Sequence, residues 1–150
     1  MEKSRVELAL RKHSMGYNCC QAIVCTYCDL VSISEQDAFR MTEALGLGMA
    51  GMMETCGAVS ALIILAGAKN SDGNLHSPST KRQSYELGKG LAEKFRGKNS
   101  STICRELKGK KLRSCDGCIA DGAQIAEEYL FPGYFEPYCE EEKEMCNRVE

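Results

Sequence analysis

The sequence predicts an all-α protein: a single-domain helical bundle of about five to six helices with one apolar helix at its centre. No stretch alternates apolar and polar residues as a half-buried strand does, whereas several carry apolar residues at the spacing of one helix face. The length of 150 residues suits one domain with its own core. Apolar residues make up 43% of the chain and charged residues 27%, which is typical of soluble globular proteins.

Apolar spacing and capping residues indicate the first three helices. The first carries a helical face through residues 6–13. The second runs from 19 to about 30, with Asn18 as its candidate N-cap. The third opens at Ser34, which is followed by acidic residues suited to a first turn.

The fourth and fifth helices differ in their polarity. The fourth, predicted from Cys56 to about Ala66, is apolar nearly all round, so we expect it at the centre of the bundle. A polar loop follows over residues 70–79. The fifth helix covers residues 80–95 and is amphipathic, although two glycines, Gly88 and Gly90, weaken it.

The last third of the chain predicts a short helix after Ser101 and a longer one that starts near Cys118 and carries an apolar stripe as far as Leu130. Prolines and a glycine then break the chain. We therefore expect one domain over residues 1–150, of which 131–150 form a loosely packed, charged tail.

Ten cysteines are the strongest chemical signal in the chain. The N-terminus shows no hydrophobic signal region, so we expect a cytoplasmic protein, in which dense thiols indicate metal binding or redox chemistry. A net charge of −2 gives no reason to expect a nucleic-acid partner. The longest apolar run, residues 58–68, is too short for membrane insertion.

Four cysteines fall where a helix is predicted to begin. A thiol at a helix N-terminus meets unpaired backbone N–H groups and the positive end of the helix dipole, which lower its pKa. Such a thiol is suited to nucleophilic attack, redox exchange or metal ligation. We therefore predict that the functional cysteines, in catalysis or as metal ligands, are Cys19, Cys56, Cys104 and Cys118.

The remaining cysteines give weaker signals. Cys115 and Cys118 form a C-x-x-C pair, a spacing that can close a redox disulfide or supply half of a metal site, so Cys115 is a substitute candidate for Cys118. The other five are better explained as core residues or as bystanders in the tail, and the sequence assigns them no role: Cys20, Cys25, Cys28, Cys139 and Cys146.

Three glycines interrupt the chain as Gly46-x-Gly48-x-x-Gly51. They match the dinucleotide-binding pattern by letter, but no strand precedes them, so a nucleotide site is not expected. We expect them instead to allow a close backbone approach near the thiol of Cys56. The two histidines, at positions 13 and 76, are isolated and are not chosen as ligands or bases.

The order of these motifs resembles one protein family. The similarity extends from about residue 5 to residue 130. The segments that carry it are Gly16-Tyr-Asn-Cys19-Cys-Gln-Ala22, Gly46-Leu-Gly48-Met-Ala-Gly51 and Thr55-Cys56-Gly57-Ala58, followed by Cys104 and Cys118. On these residues the chain resembles the C_GCAxxG_C_C family of redox-active proteins.

The resemblance implies four invariant cysteines, which by position match the four chosen above. One position departs from the family pattern, since Ala61 stands where the C-G-A-x-x-G element has its last glycine. The resemblance also implies a redox role, with an oxidoreductase or a transporter component as partner. It names no substrate.

Several functions remain open at this stage. The leading hypothesis is a redox protein whose four cysteines converge, either as ligands of an iron–sulfur cluster or as dithiol–disulfide pairs. The alternatives are a structural zinc site, or an accessory protein of a transporter or oxidoreductase system without turnover. A homodimer through the exposed face of the helix that carries Leu87 also remains open.

Overall fold

The computed structural model describes residues 1–139. Over that range the chain forms seven α-helices and no strand, which confirms the predicted all-α bundle, with seven helices in place of five to six. Short 3₁₀ segments follow the second and third helices, and a π-helical turn follows the last. The helices are α1 (Val6–Ser14), α2 (Cys19–Tyr27), α3 (Glu35–Thr42), α4 (Gly57–Asn70), α5 (Lys81–Asn99), α6 (Cys104–Gly109) and α7 (Cys115–Ile125).

Helix α4 lies at the centre of the bundle, as its apolar sequence predicts. It packs against α2, α5 and α7. Helix α2 is equally enclosed, since all of its residues after Cys19 are buried. None of the helices in residues 1–139 combines the length and the apolar character needed to cross a membrane.

Capping residues set the helix starts that matter for the site. Asn18 accepts a hydrogen bond from the Gln21 backbone N–H, and the Gln21 side chain accepts one from the Asn18 N–H, which completes a capping box for α2. Ser114 caps α7 by accepting from the Gly117 N–H. Helix α7 therefore starts at Cys115, three residues before the predicted start near Cys118.

The first part of the predicted tail is packed. Phe131 is 1% exposed and Phe135 is 8% exposed. Phe131 stacks on Tyr27, and the Arg5 guanidinium lies over the Phe135 ring, 5.2 Å from its centre. Within the segment expected to pack loosely, Phe131 and Phe135 thus belong to the core, while residues 132–134 between them are exposed. Residues 140–150 lie outside the described range.

Candidate functional site

Five cysteines line a single cavity of about 200 Å³. They are the four chosen from the sequence and the substitute candidate: Cys19, Cys56, Cys104, Cys115 and Cys118. All five are free thiols. The other described cysteines lie elsewhere, three of them buried in the core and Cys139 exposed, and Cys146 falls outside the described residues.

The cavity forms where four helices begin. Cys19 is the first residue of α2, Cys104 of α6 and Cys115 of α7, while Cys56 is the N-cap of α4. Cys118 lies one turn inside α7. Four cysteines of the cavity thus stand at a helix start, namely Cys19, Cys56, Cys104 and Cys115. Cys118, predicted at a helix start, lies inside the helix.

Backbone hydrogen bonds hold the starts of α4 and α6 side by side. The Cys56 N–H donates to the Thr102 carbonyl at 2.8 Å, and the Cys104 N–H donates to the Glu54 carbonyl at 2.6 Å. Thr55 and Ile103 form an isolated antiparallel bridge between the same two segments. Two cysteines far apart in sequence are thus placed next to each other by main-chain contacts.

Two glycines permit the close approach of the thiols. A Cβ on Gly57 would lie 2.2 Å from the Cys19 sulfur. A Cβ on Gly48, whose φ is +68°, would lie 2.7 Å from the Cys104 Cβ and 2.6 Å from the Glu54 nitrogen. The expected close approach exists, but Gly48 makes it beside Cys104 instead of Cys56, and Gly57 makes it beside Cys19.

The loop over residues 46–53 is conformationally strained beside the cavity. Leu47, Met49, Ala50 and Met53 have positive φ although none is a glycine. Side chains with a Cβ seldom adopt this region, and such strain concentrates at functional sites. The strained backbone brings Leu47 into the cavity lining and sets its N–H as a donor beside the Cys19 thiol.

Cys56 is the cysteine of the cavity whose pKa is lowered. The main cause is a hydrogen bond from the Cys118 thiol, which stabilises the Cys56 thiolate. The backbone N–H groups of Ala58 and Val59 and the positive charge of Lys108 also lower this pKa, while burial opposes them. The thiol is only 6% exposed, so these contacts outweigh a substantial desolvation penalty.

The neighbouring thiols are shifted in the opposite direction. The pKa of Cys118 is raised, first because it donates its proton toward Cys56 and then because it is buried. Burial, followed by the nearby Cys56 charge, raises the pKa of Cys19 and of Cys104. The arrangement favours one thiolate surrounded by protonated thiols.

The charged or ionisable nitrogen groups that line the cavity come from three side chains. Arg113 pairs with Asp121 at 3.2 Å, in space that Gly117 leaves open by lacking a Cβ. The His13 Nδ1 lies 2.8 Å from an Asp116 carboxylate oxygen. The third group is the ammonium of Lys108.

Sequence reasoning missed two of these residues, His13 and Lys108. Lys108 is four residues after Cys104, so helical spacing places the two on the same face of α6 and could have identified the lysine. No comparable signal exists for His13. It reaches the cavity because α1 packs against α7, a contact between residues more than a hundred positions apart.

The cysteines of the cavity suit a metal ion by their chemistry but not by their positions. Thiolates are the usual ligands of zinc and of iron–sulfur clusters. Within residues 1–139, however, no three histidine, cysteine, aspartate or glutamate side chains are placed so that they could hold a metal ion. The donor type suits such a group, but the positions of the side chains do not.

A family model described as "Putative redox-active protein (C_GCAxxG_C_C)" matches residues 17–129. The chain belongs to this family. The match confirms the resemblance seen in the sequence, and its span includes all five cysteines of the cavity. The C_GCAxxG_C_C description indicates redox activity without naming a cofactor or a substrate. No curated protein and no solved structure matches the chain.

Proposed function

We propose that this protein is a dithiol–disulfide redox protein in which Cys56 is the attacking thiolate and Cys118 the resolving thiol. The observation that carries the proposal is the placement of Cys118 in the same cavity as Cys56, where the Cys118 thiol is the main cause of the lowered Cys56 pKa. The cavity thus supplies an acidic nucleophile together with a second thiol. Thiol–disulfide exchange requires both features.

The reaction proceeds in two exchange steps. The Cys56 thiolate attacks one sulfur of a disulfide substrate, so a mixed disulfide forms and the first substrate thiolate leaves. Cys118 then attacks the Cys56 sulfur, forms the Cys56–Cys118 disulfide and releases the second substrate thiolate, which receives the Cys118 proton. The substrate gains two electrons and the protein loses two, and a reductant regenerates the dithiol.

An iron–sulfur cluster or a zinc ion bound by the same cysteines is the second candidate. The observation in its favour is the number of thiols, because five line the cavity while a disulfide needs only two. When bound, a cluster would supply one-electron transfer and zinc would supply structural cross-linking. The positions of the side chains favour the dithiol alternative.

We further propose that a reducing, cytoplasmic compartment maintains the dithiol, and that the partner is an oxidoreductase or a transporter component. These proposals follow from the family resemblance and from the cysteine content. They can be tested once the redox state of the cavity is known, since the partner must then exchange electrons with the Cys56–Cys118 pair.

The deciding experiment uses the full chain purified without air. Iron, sulfide and zinc are measured, free thiols are counted before and after mild oxidation, and any disulfide is mapped by mass spectrometry. We expect metal-free protein that loses two thiols and gains a Cys56–Cys118 disulfide. Stoichiometric iron and sulfide, or zinc, would establish the second candidate instead.

Single substitutions complete the test. Cys56→Ser and Cys118→Ser should each abolish formation of the disulfide. Cys28→Ser is the matched control, because Cys28 is buried to a similar degree, at 4% exposure against 6%, but lies outside the cavity. If Cys56→Ser still loses two thiols at the wild-type rate, the assignment of Cys56 as nucleophile is wrong.

A further inference from the structure

We propose that the cavity selects small anions as the reactants of Cys56 and that Lys108 binds their negative charge. This inference rests on the proposed function in one respect, namely that Cys56 is a reactive thiolate. It adds the class of substrate: a small disulfide that carries a carboxylate or another oxoanion close to the sulfur that Cys56 attacks.

The charge of the cavity lining carries the first step. Its basic side chains are His13, Lys108 and Arg113, and no aspartate or glutamate among residues 1–139 lines it. The chain as a whole has a net charge of −2, so the absence of acidic side chains from the lining sets this surface apart from the rest of the protein. These basic side chains attract anions and offset the negative charge of the Cys56 thiolate.

Lys108 is the cation available to a ligand. Arg113 is already paired with Asp121, and His13 lies against Asp116. Lys108 has no ion-pair partner within residues 1–139. It lines the cavity, and its charge lowers the pKa of both Cys56 and Cys104, so the ammonium acts on both sulfurs.

Backbone dipoles act in the same direction as Lys108. The N-termini of α2, α4 and α7, helices of 9, 14 and 11 residues, all open onto the cavity. Each contributes a partial positive charge and unpaired N–H groups. The Leu47 N–H adds a further donor beside Cys19. Together with the lysine, they form a positive surface around the Cys56 sulfur.

The size of the cavity limits the ligand. Pockets for drug-sized molecules typically measure about 300–1,000 Å³. This cavity holds about 200 Å³, part of which the thiols must share with the reactant. A nucleotide is too large to enter it, whereas a small disulfide that carries a carboxylate has a suitable size.

The test compares two alkylating reagents that differ only in charge. Iodoacetate is an anion and iodoacetamide is its neutral analogue, and mass spectrometry measures the rate at which each modifies Cys56. We expect the wild-type ratio of the iodoacetate rate to the iodoacetamide rate to exceed that of a free thiol. Lys108→Met should lower the ratio about fivefold, the size of one exposed charge interaction.

The ratio isolates binding of the anion from activation of the thiol. Removing Lys108 also raises the Cys56 pKa, which slows both reagents equally and cancels from the ratio. The control is Lys110→Met, which removes an exposed lysine of the same segment that does not line the cavity, and it should leave the ratio unchanged.

Three further outcomes would overturn the inference, and they differ in what they mean for the function on which it rests. If both reagents modify Cys56 readily but the ratio equals that of a free thiol, the anion site is disproved while the reactive thiolate stands. An equal fall in the ratio for Lys108→Met and Lys110→Met would also overturn the inference. It would show that the overall charge of the segment, and not binding at Lys108, sets the ratio. If neither reagent modifies Cys56, the proposed function fails and the inference fails with it.

Discussion

The cysteines at the start of α4 and those along α2 are buried to nearly the same extent, yet their thiols differ in acidity. Cys56 is 6% exposed and Cys25 is 4% exposed. The pKa of Cys56 is lowered, whereas burial raises that of Cys25 to about 11 and raises that of Cys20 as well. Burial alone disfavours a thiolate, so hydrogen bonding must account for the difference.

The hydrogen-bond donors around each sulfur explain the contrast. At the start of α4 the N–H groups of Ala58 and Val59 have no partner within the helix, and they lower the pKa of Cys56. Cys25 lies inside α2 and Cys28 directly after it, and burial is the main influence on the pKa of both thiols. Each donates instead, Cys25 to the Glu35 carbonyl at 3.8 Å and Cys28 to the Cys25 carbonyl at 3.5 Å. A thiol that donates stays protonated.

The largest effect is expected from Gly57→Ala, which pushes the start of α4 away from α2. This change should remove the difference in reactivity between Cys56 and the buried cysteines of α2. The added Cβ would lie 2.2 Å from the Cys19 sulfur and 3.1 Å from the Cys20 nitrogen. Overpacking of this kind costs about 2 kcal/mol of unfolding free energy, measured by urea denaturation. The rate of Cys56 alkylation should fall as well, because the cavity loses its shape.

Gly90→Ala is the control for that substitution. A Cβ at Gly90 has no atom within 4 Å, and Ala is favoured over Gly inside a helix, so this variant should be more stable by about 1 kcal/mol. A Gly57→Ala variant as stable as Gly90→Ala would show that α2 and α4 do not need this close contact.

An intermediate effect is expected from Cys118→Ala, which removes the principal donor to Cys56. The alkylation rate follows the thiolate fraction, so it rises with pH through the Cys56 pKa. In the wild type the midpoint should lie below the value of about 8.5 for an ordinary thiol, because the folded-state pKa is lowered. Cys118→Ala should move the midpoint to higher pH. The measurement is the rate of Cys56 alkylation by iodoacetamide at a series of pH values.

Cys118→Ser is the matched control, because its hydroxyl can still donate to the Cys56 sulfur. Its midpoint should lie closer to that of the wild type than the midpoint of Cys118→Ala does. Identical midpoints for the wild type and the alanine variant would mean that the helix N-terminus and Lys108 set the acidity of Cys56 without Cys118.

The helix starts could be predicted from the sequence because local signals encode them. Asn18 and Ser34 are capping residues that act through hydrogen bonds a few positions along the chain. The start of α7 was misplaced because Ser114 and Asp116 are both good caps and lie two residues apart, and only the structure shows that Ser114 is used. Local signals thus locate a helix better than they fix its first residue.

The contacts that close the cavity could not be predicted, because they join distant segments. The sequence treats Gly88 and Gly90 alike, as residues that weaken α5. In the structure a Cβ on Gly88 would lie 2.9 Å from the Ile63 Cδ1, whereas Gly90 faces open space. Gly57 and His13 owe their place beside thiols to similar long-range packing. Residue type and spacing do not encode which surfaces meet.

The smallest effect is expected from Cys28→Ala, which tests whether a core cysteine at the end of α2 influences Cys56. Cys28 donates to a backbone carbonyl and fills space in the core, so losing its sulfur should cost about 1 kcal/mol of unfolding free energy. The pH midpoint for Cys56 alkylation should not change, because Cys28 does not line the cavity. A shifted midpoint would show that the two groups of cysteines are coupled through α2, and the contrast between them would then be one of degree.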